Sequence, residues 1–142
     1  MQGRRPETGA AAAMTNAGIV RRFLTEGYEN KNYTAVMACL AEDYIDHSPA
    51  GARGSAQAVD ILKLVAAQLS GLTVQVLDLF SEGNRVAARI QFDDVHTGEC
   101  MGIPATGKRL RFEALEHFRV EDGRIAESWG YWPDKEIEEK LR

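Results

Sequence analysis

Cysteine is scarce in this chain. Its two residues, Cys39 and Cys100, lie far apart, with no Cys-x-x-Cys pair and no Cys/His cluster around either. That argues against a disulfide framework and a zinc site of ordinary spacing, and both thiols are read as reduced and structural. Positive charge is neither abundant nor concentrated. Lys and Arg number 17 against 21 Asp and Glu, the net charge is −4, and no basic cluster exceeds Arg4-Arg5 or Arg21-Arg22. A nucleic-acid partner needs a concentrated positive face, so none is expected. Long apolar runs are missing too. Val59–Leu69 is broken by Asp60, Lys63 and Gln68 and is much shorter than the roughly 20 residues that cross a bilayer as a helix. Residues 1–13 lack the apolar centre of a signal peptide, so a cytoplasmic location with no membrane partner is expected.

What is present suits one domain. A chain of 142 residues, 44% hydrophobic and 27% charged, can bury a core of its own. Residues 1–14 read as a disordered tail, with Met14 an alternative start, and residues 15–142 as the folded unit. Asn16 or Thr15 can cap a helix carrying Ile19, Val20, Phe23 and Leu24 that ends near Gly27 or Tyr28. Tyr33–Leu40 reads as a second short helix. An extended piece from Asp43 then meets the loop Pro49–Gly54. Ser55 can cap a third helix striped by Val59, Leu62, Val65 and Leu69 and closed by Gly71.

From Leu72 the apolar period changes from 3.6 to 2, the signature of half-buried strands. Strands are predicted over Leu72–Ser81, Val86–His96, Lys108–Val120 and Ile125–Trp132, with a hairpin at Asp122-Gly123 and a last short helix from Pro133 or Asp134. Helices followed by antiparallel strands make an α+β layout, and a curved sheet wrapped around a helical layer makes a cone with a cavity. Phe23, Met37, Leu62, Phe80, Phe92, Phe112 and Phe118 are expected in the core.

One residue breaks the pattern. In Leu110–Val120 the alternate positions Leu110, Phe112, Ala114, Glu116, Phe118 and Val120 form an apolar face except at Glu116. A carboxylate there loses hydration, and its pKa rises toward the range of a working acid or base. Asp46 and His47 lie in a piece expected to border the cavity. Asp94 and His96 extend the inner face of their strand toward a wet cavity mouth. His117, Arg111 and Arg119 have the opposite parity and belong outside. Tyr28 and Tyr44 are read as packing residues with hydroxyls at an edge.

The segments D43-YIDHS-P49, H96-TGECMGIPATG-K108 and F118-RVEDGRIAES-W129 together resemble the SnoaL-like polyketide cyclases, which share the NTF2-like fold. The resemblance spans about residues 15–142. It implies a cone-shaped α+β fold, a homodimer, an apolar cavity for a small hydrophobic polyketide-like substrate, and no metal or organic cofactor. It also implies an acid/base aspartate on the last strand, just before a Trp-Pro-Asp. Trp132-Pro133-Asp134 is present, but the aspartate's place falls on Tyr131, or on Gly130 when aligned without a gap from the hairpin. A pocket histidine of the family aligns with Glu116 and an asparagine with Asp46.

The candidate catalytic residues are therefore Glu116, Tyr131, Asp46 and His47, with Tyr131 a possible donor to a carbonyl or enolate oxygen. His96, Asp94, Trp132, Tyr44, Phe92 and Phe112 are the candidate substrate-binding residues. The function expected is ring closure in a polyketide-derived intermediate, by aldol-type proton transfer or by shape-directed cycloaddition. The alternatives are an isomerase or epoxide hydrolase of the same fold, or a non-catalytic binder of hydrophobic ligands.

Overall fold

The computed structural model describes residues 14–49 and 51–142. Of the tail expected over residues 1–14, all but Met14 lies outside them. Helix α1, Asn16–Leu24, starts at Thr15, whose Oγ1 accepts the Gly18 N–H at 3.0 Å, and buries Ile19, Val20, Phe23 and Leu24. The helical path runs to Glu29, just past the expected end near Gly27 or Tyr28. The chain continues through a π-helical turn, Thr25–Glu29, before α2, Tyr33–Cys39, which the Asn32 side chain caps. Strand β1, Leu40–Asp46, leads to the loop before α3, Ser55–Gln68. Ser55 is not the cap of α3. Gly54 holds that position at φ 97°, where a side chain is disfavoured. Nor does α3 reach Gly71, because the backbone turns extended at Leu69 and enters β2, Leu69–Glu82.

Strands β3, Arg85–His96, β4, Arg109–Glu121, and β5, Arg124–Tyr131, follow, and α4, Asp134–Leu141, ends the chain. The β4–β5 hairpin turns at Asp122 and Gly123, both with positive φ, as the Asp-Gly pair predicts. The sheet is open and five-stranded in the order β1-β5-β4-β3-β2, antiparallel except for the parallel β1–β5 pair. The helices pack on its concave face, an α+β cone as expected.

Cross-strand register explains where the interior is full and where it is hollow. Toward one end, Val86 pairs with Phe118; toward the other, Phe92 pairs with Phe112, and all four are buried. Between them Ala88 faces Glu116, Glu116 faces Gly130, and Ala114 faces Ile90. Large rings at both ends and small residues in the middle leave unfilled volume around position 116, since close packing needs matched side-chain bulk. Two residues expected in the core are on the surface. Met37 is on the open side of the short α2, and Phe80, past a register shift between Val76 and Asp78, is 69% exposed on the convex side. Among the described residues no helix is long and apolar enough to cross a membrane.

Candidate active site

A cavity of about 250 Å³ opens between the concave face of the sheet and the helices. Phe23 of α1, with Ala58, Ile61, Leu62 and Val65 of α3, supplies an apolar wall. The polar lining is Tyr28, Tyr44, Asp46, Ser48, Glu116, Ser128 and Asp134. The arrangement suits a largely hydrophobic guest carrying a few oxygens.

Glu116 is buried, and its Oε2 accepts the Trp132 indole N–H at 2.9 Å. Burial pushes the carboxyl up to about 7 although the indole bond favours the charged form, and the Asp46 carboxylate adds to the rise. No arginine or lysine lines the cavity among the described residues. A carboxyl held neutral and ionised in comparable amounts near pH 7 can both take and return a proton.

Trp132 is held by its own stack. Its ring lies 4.8 Å from Phe92, 5.0 Å from Phe112 and 6.0 Å from Tyr28, centroid to centroid. Phe92 and Phe112, expected to touch substrate, do not line the cavity; they stand behind Trp132 as its platform. Trp132 itself does line it.

The first loop adds a second hydrogen-bonded group. Asp46 Oδ1 accepts the Ser48 N–H at 3.0 Å and the Ser48 hydroxyl at 2.7 Å, while Ser48 Oγ accepts the Gly130 N–H at 2.9 Å. Asp46 thus lies at the cavity, locked between β1 and β5. A methyl group on Gly130 would lie 2.9 Å from Ser48 Oγ and 3.6 Å from Glu116 Oε2, so glycine leaves both polar groups their room. Tyr44 is no edge residue. It is 3% exposed, and its hydroxyl is bonded to Ser128 Oγ. Burial pushes its phenol above the ordinary range.

Two candidates face the other way. Tyr131 is 68% exposed on the convex side, opposite Leu115, because Gly130 takes the inward register position facing Glu116. His47 is also outside the cavity: it bonds Glu127 at 2.7 Å and stacks on Trp129, 4.9 Å between ring centres. His117 flanks the same indole from the convex face, as its parity predicts.

Asp94 and His96 do not reach a wet mouth. They are 2% and 0% exposed, and neither lines the cavity. His96 Nδ1 accepts the Thr106 N–H, which leaves the ring proton on Nε2 without a partner, and neither Asp94 oxygen has one among the described residues. Burial, with Asp93 adjoining, raises the Asp94 carboxyl to about 7. Sequence reasoning missed Ser48, Ser128 and Tyr28 as polar lining. Ser48 and Tyr28 sit in a loop and a π turn, which carry no parity, whereas Ser128 shares the inward face of β5 with Gly130 and strand alternation could have found it.

An open α+β cone whose hollow concave face carries a buried carboxyl among aromatic rings is a small-molecule site of the NTF2-like kind. The chain belongs to the SnoaL-like polyketide cyclase family, whose model matches residues 18–141. It is 28% identical over 127 residues to the aklanonic acid methyl ester cyclase DnrD of Streptomyces peucetius, covering 84% of this chain and 85% of that one. Among solved structures, IdmH of Streptomyces antibioticus, described as a proposed polyketide cyclase, superimposes with a TM-score of 0.80 at 25% identity, covering 90% of this chain and 99% of that one. TsrD of Streptomyces laurentii shares the fold with a TM-score of 0.82 at 24% identity, covering 95% and 98% of the two chains.

The raised Asp94 carboxyl has a measurable consequence. Its folded-state value of about 7 exceeds the ordinary 3.8, so the folded state keeps a proton that the unfolded chain loses. The contribution of this carboxyl to stability is full below pH 3.8 and is lost as pH rises to about 7. Asp94→Asn removes this dependence. The variant should gain on the order of 2 kcal/mol relative to the parent at pH 8 and nothing at pH 3.5, read by denaturant unfolding at both values.

Proposed function

We propose that this protein is a cofactor-independent cyclase that closes a carbon ring in a polyketide-derived intermediate by aldol-type chemistry at Glu116. The observation that carries the reading is the buried Glu116 carboxyl, raised to about 7 and aimed into an apolar cavity with an indole N–H on one oxygen. The ionised carboxylate removes a proton α to a carbonyl. The enolate carbon attacks a second carbonyl carbon of the same molecule, a C–C bond forms, and the C=O π pair moves to oxygen. Glu116, now a neutral acid, returns its proton to that alkoxide. The step is an isomerisation and balances with no other reactant. The apolar wall keeps the guest folded with its reacting carbons close, which lowers the entropic barrier, and excludes water that would quench the enolate. The relative DnrD, an aklanonic acid methyl ester cyclase, supports a polyketide-derived ester as the substrate class.

A homodimer is the assembly we propose, in line with the family resemblance. Phe80, Leu115 and Tyr131 are exposed at 69%, 56% and 68%; strand register sets Leu115 beside Tyr131, with Phe80 on the same convex face at β2, which supports a partner there.

Glu116→Gln keeps the shape and the indole contact but cannot take a proton. Its kcat on aklanonic acid methyl ester should fall at least about 10²-fold, with a folded circular-dichroism spectrum. Turnover within twofold of the parent would point to shape-directed closure instead. In the parent, kcat/KM should rise about tenfold per pH unit below 7 and level above it, because the base form appears as pH passes the carboxyl's value of about 7. Light scattering should give twice the chain mass of 15.7 kDa, and Leu115→Glu should shift it toward the monomer.

A further inference from the structure

The π-helical turn Thr25–Glu29 inserts an extra residue between α1 and α2, and turns of this kind recur at functional sites. Gly27 within it is buried, and a methyl group there would meet Leu62 at 3.1 Å and Val36 at 3.2 Å. The close approach at Gly27 seats the turn against α3 and sends the next residue, Tyr28, into the cavity. Its ring is wedged edge-on against Phe23 at 6.4 Å and Phe92 at 5.0 Å, so its direction is set by packing on both sides.

Every other cavity hydroxyl is engaged. Tyr44 and Ser128 hold each other, and Ser48 joins Asp46 to Gly130. Tyr28 alone among the lining hydroxyls makes no hydrogen bond within the described residues, and it does not count among the sealed, unpartnered atoms. It opens on the space that Glu116, Asp46 and Tyr44 also face. A donor without a partner in such a place is satisfied by what enters.

We propose that Tyr28 is a catalytic residue of the ring closure, whose hydroxyl donates a hydrogen bond to the acceptor carbonyl of a flat aromatic ketone or aldehyde and then to the alkoxide formed from it. The inference rests on the acid–base reading of Glu116 and supplies what that reading lacks, a donor at the oxygen where charge develops. Burial and the neighbouring Glu116, Tyr44 and Asp46 push the Tyr28 phenol well above its ordinary range, so it keeps its proton and acts by donation, not by proton transfer. Trp132 cannot take this part, because its N–H is spent on Glu116.

Two probes test the donor directly: α-tetralone, a flat aryl ketone, and tetralin, the same skeleton without oxygen. The parent should bind α-tetralone about three- to tenfold more tightly than tetralin, the worth of one neutral hydrogen bond. Tyr28→Phe should abolish that preference while leaving tetralin affinity unchanged, and should lower kcat on aklanonic acid methyl ester about 10²-fold with little change in KM. A carbon-13 label at tyrosine Cζ in the parent should show one resonance moving with α-tetralone and not with tetralin, an answer that needs no variant to fold. A ketone preference that survives Tyr28→Phe, or a parent with neither preference nor shift, overturns the inference. The two failures are separable: turnover that survives Glu116→Gln sinks the acid–base reading, whatever the tetralone comparison gives.

Discussion

The constraint on which this molecule turns is a carboxyl group placed where water is scarce and, among the described residues, no arginine or lysine lines the space. Glu116 has an indole N–H on one oxygen and the field of Asp46 nearby. Such a group costs stability when ionised, and a packed core would not keep it. The surrounding sheet is built to accept it. Ala88, Ala114 and Gly130 withhold bulk around position 116, while Phe92, Phe112, Phe118 and Val86 fill the volume on either side. The hollow and the carboxyl therefore depend on each other. Filling the small positions would expel the side chain or crush the cavity, and a neutral apolar residue at 116 would leave an empty space with nothing to orient a guest.

Much of this was legible in the sequence, and the reason is geometric. Strand parity is strict, so a single charge in an apolar alternation has to face inward wherever the register holds, and Glu116 does. The hairpin turn at Asp122-Gly123 was equally readable, because positive φ restricts which residues can stand there. Illegibility begins where periodicity ends. Tyr131 and Trp132 lie at the end of β5, where one residue of offset exchanges the faces. Gly130, with no side chain to signal its direction, gave no warning that it occupied the inner position. Phe80 reads as core only if β2 is unbroken, and a register shift reverses its face. Tyr28 depends on a π turn, whose fifth residue per hydrogen bond no 3.6-residue pattern anticipates.

Asp94 and His96 show a different limit. Parity put both on the inner face, and that is where they are, yet they are sealed, with Thr106 against the His96 ring, and have no part in the cavity lining. Alternation gives the direction of a side chain but not what covers it. The covering comes from elements distant in sequence. Lys108 Nζ reaching the Arg142 carbonyl at 2.9 Å and Lys140 Nζ reaching the Arg111 carbonyl at 2.7 Å bind α4 to this end of the sheet.

The family resemblance implies an aspartate on the last strand, and the inner position there is Gly130, directly across β4–β5 from Glu116. A methyl group built on Gly130 would come within 3.6 Å of the Glu116 carboxyl. A side chain at 130 and the carboxyl at 116 thus compete for one volume. Losing the first leaves the space into which the longer glutamate can extend from the neighbouring strand. On the reading proposed for this protein, an acid/base group has changed strands without leaving the cavity. The substitution of tyrosine for aspartate before Trp-Pro-Asp then says nothing about catalysis, since Tyr131 faces away. What the chemistry requires is a carboxyl at that point in space, deprived of water and of cations, and either strand can deliver one.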